Sequence, residues 1–203
     1  MKITAIKQQV KQQGRYSIFV EGKYSFSLSE AALLNSKIAS GQELTPAQVT
    51  DYKKLSLDDK LYNQALRYAV MRTRSTWELE NYLQRKKADP LLSQQIINKL
   101  SNLKLVDDIT FARSWVANRR LLKPVSRRRL TQELRAKRVA DEIIEAVLLE
   151  DDTDEQTSLR ELIAKKRRQT KYQDDTKLVQ FLARQGFGYD DIKTALAHPD
   201  IED

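Results

Sequence analysis

With 203 residues, 40% apolar and 32% charged, the chain can bury a modest core, and stacked helices with wide solvated faces suit it better than one thick sandwich. The lack of cysteine excludes a disulfide framework, a thiolate nucleophile and a cysteine-ligated zinc. No apolar run approaches the ~20 residues that span a bilayer, and the start Met1-Lys2-Ile3-Thr4 lacks a signal-peptide core, so a cytoplasmic location is expected. The net charge of +8 favours partners that carry phosphates or carboxylates.

In chain order, Ile3 to Val10, Arg15 to Val20 and Tyr24 to Leu28 are short β-branched or aromatic runs punctuated by Gly14 and Glu21-Gly22. They predict a three-stranded antiparallel meander. Ser27 with Glu30, and Thr45-Pro46 with Gln48, have capping-box spacing and predict two short helices, at 30–38 and 46–55. This N-terminal module is expected to end at Leu57.

From Lys60 the periodicity is helical and the chain repeats. Leu130, Leu134, Ile144 and Leu148 recur 48 residues later as Leu178, Leu182, Ile192 and Leu196. The same offset takes Phe111 to Leu159, Val116 to Ala164, Arg119 to Arg167 and Arg120 to Arg168. An earlier copy holds Leu79, Leu83, Ile96 and Leu100, with a three-residue surplus assigned to Lys87-Ala88-Asp89-Pro90. So many positions in register mark a repeat. The reading is a mainly α chain: a β-meander module with short helices over 1–57, then three-helix repeats over 58–107, 108–155 and 156–203. First helices are expected at 60–73, 108–122 and 156–169, with later helix starts at Ser75, Ser126 and Asp174-Asp175. Such small units must share apolar surface with their neighbours, and an elongated, gently curved array is expected.

Catalytic chemistry finds little support. The single histidine, His198, sits beside Pro199 at a helix end, and Gly186-Phe187-Gly188 reads as a helix C-cap rather than a phosphate loop. Of the pairs Asp107-Asp108, Asp151-Asp152, Asp174-Asp175 and Asp190-Asp191, three fall where a helix is expected to begin, and the pairs read as helix caps rather than metal ligands. Phe111, Trp115 and Trp77 read as core. No cofactor or metal is expected.

Charge is the functional signal. From Arg113 to Arg138 ten Lys or Arg face one acid, Glu133, whereas five of the six residues from Glu150 to Glu155 are acidic. Arg127, Arg135 and Arg138 fall on one stripe of the second repeat's middle helix, away from Leu130 and Leu134, and Arg128 widens it. Arg113, Arg119, Arg120 and Lys123 add charge from the preceding helix, and Lys165, Lys166, Arg167 and Arg168 recur in the third repeat. Together they form the expected partner-binding surface.

The stretch Leu103-Lys104-Leu105-Val106-Asp107-Asp108-Ile109-Thr110-Phe111-Ala112-Arg113-Ser114-Trp115 resembles the signature of the RecX regulatory proteins. Arg74-Ser75 with Glu78-Leu79, Glu133-Leu134-Arg135-Ala136-Lys137, and Phe181-Leu182-Ala183-Arg184-Gln185-Gly186-Phe187 support the resemblance, which covers 60–198. Many members end the middle helix on lysine-glycine. This chain has Lys86-Lys87 and Arg138-Val139 there, so those ends are expected to close differently. The chain is expected to be non-enzymatic and monomeric, and the resemblance implies that it binds the RecA recombinase, or its filament on single-stranded DNA. There it would mostly inhibit recombination, ATP hydrolysis and SOS-inducing activity, lying in the filament groove. The alternative is a direct binder of single- or double-stranded DNA built from helix-turn-helix-like repeats.

Overall fold

A computed structural model describes residues 1–197. The N-terminal runs form an antiparallel sheet in the order β1 (Ile3–Gln8), β2 (Arg15–Val20), β3 (Lys23–Ser29). Gly14 and Gly22 supply the positive φ, 81° and 73°, that its two turns require. Helices follow: α1 (Glu30–Ser36), α2 (Pro46–Val70), α3 (Thr76–Arg85), α4 (Pro90–Asn102), α5 (Asp108–Leu122), α6 (Arg127–Ala136), α7 (Asp141–Leu149), α8 (Glu155–Arg167), α9 (Asp175–Arg184) and α10 (Tyr189–Ala197). A single 3₁₀ turn, Thr170–Tyr172, precedes α9.

The chain divides into two compact units: Met1–Arg72 with Leu79–Asn102, and Thr73–Glu78 with the chain from Leu103. In the first, Ile3, Ile18, Phe26 and Leu28 of the sheet pack with Ile38, Leu44 and Val49. Here the structure departs from the sequence reading. Two separate helices were expected around 46–55 and 60–73, with a boundary at Leu57, but α2 runs unbroken through it. A buried polar knot explains why. Arg15 Nε donates to Ser27 Oγ (2.9 Å) and its Nη1 to Asp59 Oδ2 (2.8 Å), while Ser56 Oγ donates to Ser27 O (2.6 Å). Ser56 and Asp59 must lie one helical turn apart to meet these partners, so the middle of α2 is held helical by the sheet. Ser27 is consumed in this knot, and the cap of α1 is instead Ser29, whose Oγ accepts from Ala32 N. The Thr45–Gln48 capping box forms as expected.

The repeat is visible in burial. Leu79, Leu83, Leu100, Leu130, Leu134, Leu178, Leu182 and Ile192 are fully buried, and Ile96 and Ile144 nearly so. Ala164 is exposed, although its counterpart Val116 is buried, because α8 buries Leu159, Leu162 and Ile163 instead. The surplus in the first repeat does not lie in the loop after α3. Segments 86–89, 137–140 and 185–188 are equally long, and α4 has 13 residues where α7 and α10 have 9. About one helical turn has been added, which leaves the buried face in place.

The three middle helices also end alike, contrary to expectation. Lys87 (φ 57°), Arg138 (φ 58°) and Gly186 (φ 92°) occupy the same register in the left-handed region. Each is followed by the same closing bond, from Ala88 N to Leu83 O, Val139 N to Leu134 O and Phe187 N to Leu182 O. This is the Schellman closure, made twice without glycine.

Candidate partner-binding surface

The basic segment lies in the second unit. Its scaffold is the core of Phe111, Ala112, Val116, Val125, Leu130, Leu134, Ile144 and Val147, which turns the remaining faces of α5 and α6 outward. Trp115 is half-buried rather than core, and its Nε1 donates to Glu133 Oε2 (2.9 Å). Trp77 is likewise half-buried, with Lys137 Nζ 6.0 Å from its ring centroid.

The charge separation seen along the chain is partly undone in space. The acidic stretch after α7 folds back on the cations of α5 and α6. Arg113 makes a two-pronged pair with Glu150 (2.8 and 2.7 Å), which holds that carboxyl below its ordinary range. Arg120, with a side chain only 12% exposed, reaches Asp151 (2.6 Å) and Val125 O (2.6 Å). Burial pushes the Asp151 carboxyl up, but bonds from Arg120 and Thr153 outweigh it and hold the carboxyl low. Arg127 donates to Asp151 O (2.6 Å) and is half-buried. The stripe expected from Arg127, Arg135 and Arg138 is therefore broken. Arg127 is tied inward, Arg135 pairs with Asp141 (2.7 Å), and Arg138 lies beyond the end of α6.

Other predicted cations are also occupied. Arg119 donates to Glu133 (2.8 Å) and lies 5.2 Å over the Trp115 ring. Lys166 sits over Phe181 (4.7 Å) and Tyr172 (5.3 Å), and Arg167 closes the turn through Tyr172 O and Gln173 O and pairs with Asp175. By contrast Lys123, Arg128, Arg138, Lys165 and Arg168 are exposed, with no side-chain hydrogen bond or ion pair among the described residues. These five are the available charges of the predicted set.

The sequence reading missed two features. Leu121 and Leu122, at the end of α5 beside Lys123, are 80% and 66% exposed. They were legible as a break in helical amphipathicity, since the third repeat has Gln169 and Thr170 in that register. A cleft at the end of α9, lined by Arg128, Arg129 and Arg184, was also missed.

The acid pairs are caps where they meet a helix start. Asp107 accepts from Thr110 N (2.7 Å) and Asp174 from Lys177 N (3.1 Å), and these backbone bonds lower both carboxyls. Asp190 and Asp191 lie in the first turn of α10. The pair Asp151-Asp152 caps nothing, because Asp154 takes the N-cap of α8 while Asp151 serves Arg120. Among the described residues no group of three or more His, Asp or Glu could hold a metal ion, and no helix is long and apolar enough to cross a membrane. His198, read as a helix-end residue, lies outside the described residues.

Comparison with known proteins matches three family models: the N-terminal domain of regulatory protein RecX over residues 1–45, the RecX second three-helix domain over 107–148, and the third over 153–196. The chain is similar to regulatory protein RecX of Bacillus subtilis, 30% identical over 205 residues, covering 98% of this chain and 78% of that one. It is 32% identical over 150 residues to the protein of the same name from Listeria monocytogenes, and 34% over 153 residues to that of Lactobacillus johnsonii. Those alignments cover 74% and 75% of this chain but 56% of each relative, so the matched region spans little more than half of their length. A crystal structure of regulatory protein RecX superposes with a TM-score of 0.72 at 25% identity, covering 95% of this chain and 98% of that one. RecX from Lactobacillus salivarius gives 0.58 at 27% identity, covering 70% and 96%. The sheet module, the tandem three-helix units and these likenesses agree, and the chain belongs to the RecX family of regulatory proteins.

Proposed function

We propose that the protein is a non-enzymatic regulator that binds the RecA recombinase on single-stranded DNA and mostly inhibits its recombination, ATP hydrolysis and SOS-inducing activity. The observation that carries this reading is the sorting of charge on the second unit. Acids neutralise the cations that hold the fold, while Lys123, Arg128, Arg138, Lys165 and Arg168 stay exposed and uncompensated. Leu121 and Leu122 beside Lys123 favour a protein surface as part of the target, since exposed aliphatic side chains gain little from a phosphate backbone. Membership of a family of regulatory proteins supports a binding role over catalysis.

Purified protein titrated into a matched RecA on single-stranded DNA should suppress DNA-dependent ATP hydrolysis. Reversal of Arg128 and Arg138 to Glu should weaken that suppression by tenfold or more while the thermal transition stays in place. Undiminished ATP hydrolysis at saturating protein would refute the reading.

A further inference from the structure

The junction between the second and third repeats contains a cleft of about 360 Å³, lined by Arg128, Arg129, Gln132, Ala183, Arg184 and Gly186. We propose that this cleft binds a phosphodiester group of a nucleic-acid strand. The proposal extends the reading above by giving the regulator a direct hold on the DNA of the filament, and it rests on that reading only for the identity of the polymer.

The junction is built by the fold. Ser126, the N-cap of α6, donates its backbone N–H to Gln185 O (3.1 Å), and Gly186 packs so closely that a Cβ there would lie 2.3 Å from Ser126 Oγ. The start of α6 and the end of α9 are thereby fixed against one another, and three guanidiniums from the two helices line one concavity. Arg128 and Arg184 have no side-chain hydrogen bond or ion pair among the described residues. Arg129 lies 3.4 Å from Glu133, but that carboxylate already accepts from Arg119 at 2.8 Å and Trp115 at 2.9 Å, so its single charge is matched elsewhere. About two to three positive charges therefore share the cleft uncompensated, and a bound anion relieves their repulsion. At the carbonyl end of α9 the Leu182, Ala183 and Gln185 oxygens are taken up by the Phe187, Gly186 and Ser126 N–H groups, which reduces the opposition to an anion.

The preceding junction serves as an internal control. Ser75, 51 residues before Ser126, donates from Oγ to Lys137 O (3.3 Å), and Lys137 is 48 residues before Gln185, so the same joint recurs. There the lining residues differ: Trp77 stands at the Arg128 position, Glu78 at that of Arg129 and Ala136 at that of Arg184, while Arg135 and Arg138 stand at those of Ala183 and Gly186. Lys137 Nζ pairs with Glu78 (2.9 Å) and lies 5.4 Å over the Trp115 ring. The joint forms although Trp77, Glu78 and Ala136 stand in place of the three arginines, so its packing does not itself require them.

The chemistry favours a phosphate over a carboxylate. Guanidinium forks suit the several oxygens of a tetrahedral anion, with the Gln132 amide as a further donor. Among the described residues no aromatic side chain lines the cleft, so bases have no stacking platform there, and the contact would be to the backbone and independent of sequence.

The test uses the full chain and a fluorescent oligo-dT strand without recombinase, with affinity measured by anisotropy over a salt series. Arg128→Gln with Arg184→Gln should weaken binding at least tenfold, equally on mixed-sequence strands, and flatten the salt slope by about one unit per arginine. Lys53→Gln with Lys54→Gln removes the same charge from exposed positions on α2 and should change affinity less than twofold. Arg128→Lys with Arg184→Lys should restore most of the slope. No binding by the wild type, or equal losses in the two glutamine pairs, would overturn the proposal. The outcome is separable from the regulator reading. Oligo-dT binding that depends on the arginines, without any effect on a recombinase, keeps the cleft and removes the regulator. Inhibition without such binding does the reverse.

Discussion

Arg138 holds a backbone conformation that suits glycine, and replacing it should stabilise the protein. At φ 58° an L-residue carries about 1–2 kcal/mol of left-handed strain. Glycine removes that strain but loses about 0.5–1 kcal/mol through the extra freedom of its unfolded chain. The Arg138 side chain makes no hydrogen bond or ion pair among the described residues, so nothing else is forfeited. Arg138→Gly should therefore gain about 0.5–1 kcal/mol, read as a higher urea midpoint at constant slope. Arg138→Ala keeps the strain and should be close to neutral. The equivalent Gly186 gives the opposite sign. In Gly186→Ala the new Cβ meets Ser126 Oγ at 2.3 Å and Arg129 Cβ at 2.8 Å, and displacing Ser126 also breaks its cap on Arg129 N. Left-handed strain plus a lost cap amounts to about 2–3 kcal/mol. If Arg138→Gly failed to raise the midpoint, or Gly186→Ala cost no more than a few tenths, left-handed strain at the common closure of the three middle helices would not govern stability at these positions.

Leu134→Ala removes a fully buried side chain from the second repeat and should cost about 2–5 kcal/mol in chemical denaturation. Arg120→Ala leaves the Asp151 carboxylate, 8% exposed, without its guanidinium, and should destabilise by about 3 kcal/mol, whereas Lys165→Ala should stay within about 0.5 kcal/mol. Acid should weaken the second unit. Asp107 and Asp174 are held below the ordinary value of 3.8 by the backbone N–H groups they cap, so their contribution is complete above that value and is lost as pH falls through the lower folded values. Asp107→Asn with Asp174→Asn should flatten the loss of stability as pH falls below the ordinary value of 3.8, followed by circular dichroism.

The repeat was legible because buried positions recur at matching places: Leu79, Leu130 and Leu178 correspond, once the first repeat's three-residue surplus is allowed for, and all are fully buried. The meander was legible from its turns. The continuity of α2 was not, because it depends on Arg15 reaching Ser27 and Asp59 across the sheet, and periodicity does not encode such a contact. The extra turn of α4 was misplaced for a related reason. Alignment shows that three residues are added but not where, and the equal loops fixed by Leu83, Leu134 and Leu182 carbonyls leave the helix as the place for them.

The candidate surface was half legible. Counting cations located the right region, but the count cannot separate a cation that holds the fold from one that faces solvent. That division follows from the connection between repeats. The segment joining α7 to α8 crosses α5 and α6, and its Glu150 and Asp151 take up Arg113, Arg120 and, through a backbone carbonyl, Arg127. Arg168 is the counterpart of Arg120, 48 residues on, and the same offset carries Glu150 and Asp151 to His198 and Pro199. Neither of those can supply a carboxylate. The repeat thus predicts that Arg168, unlike Arg120, lacks its acid, and its exposure without a side-chain partner among the described residues agrees. The same substitution should therefore act differently at the two sites: Arg120→Ala should lower stability, while Arg168→Ala should leave stability unchanged and lower partner affinity. Equal destabilisation at both would mean that the repeat register does not govern which cations are available.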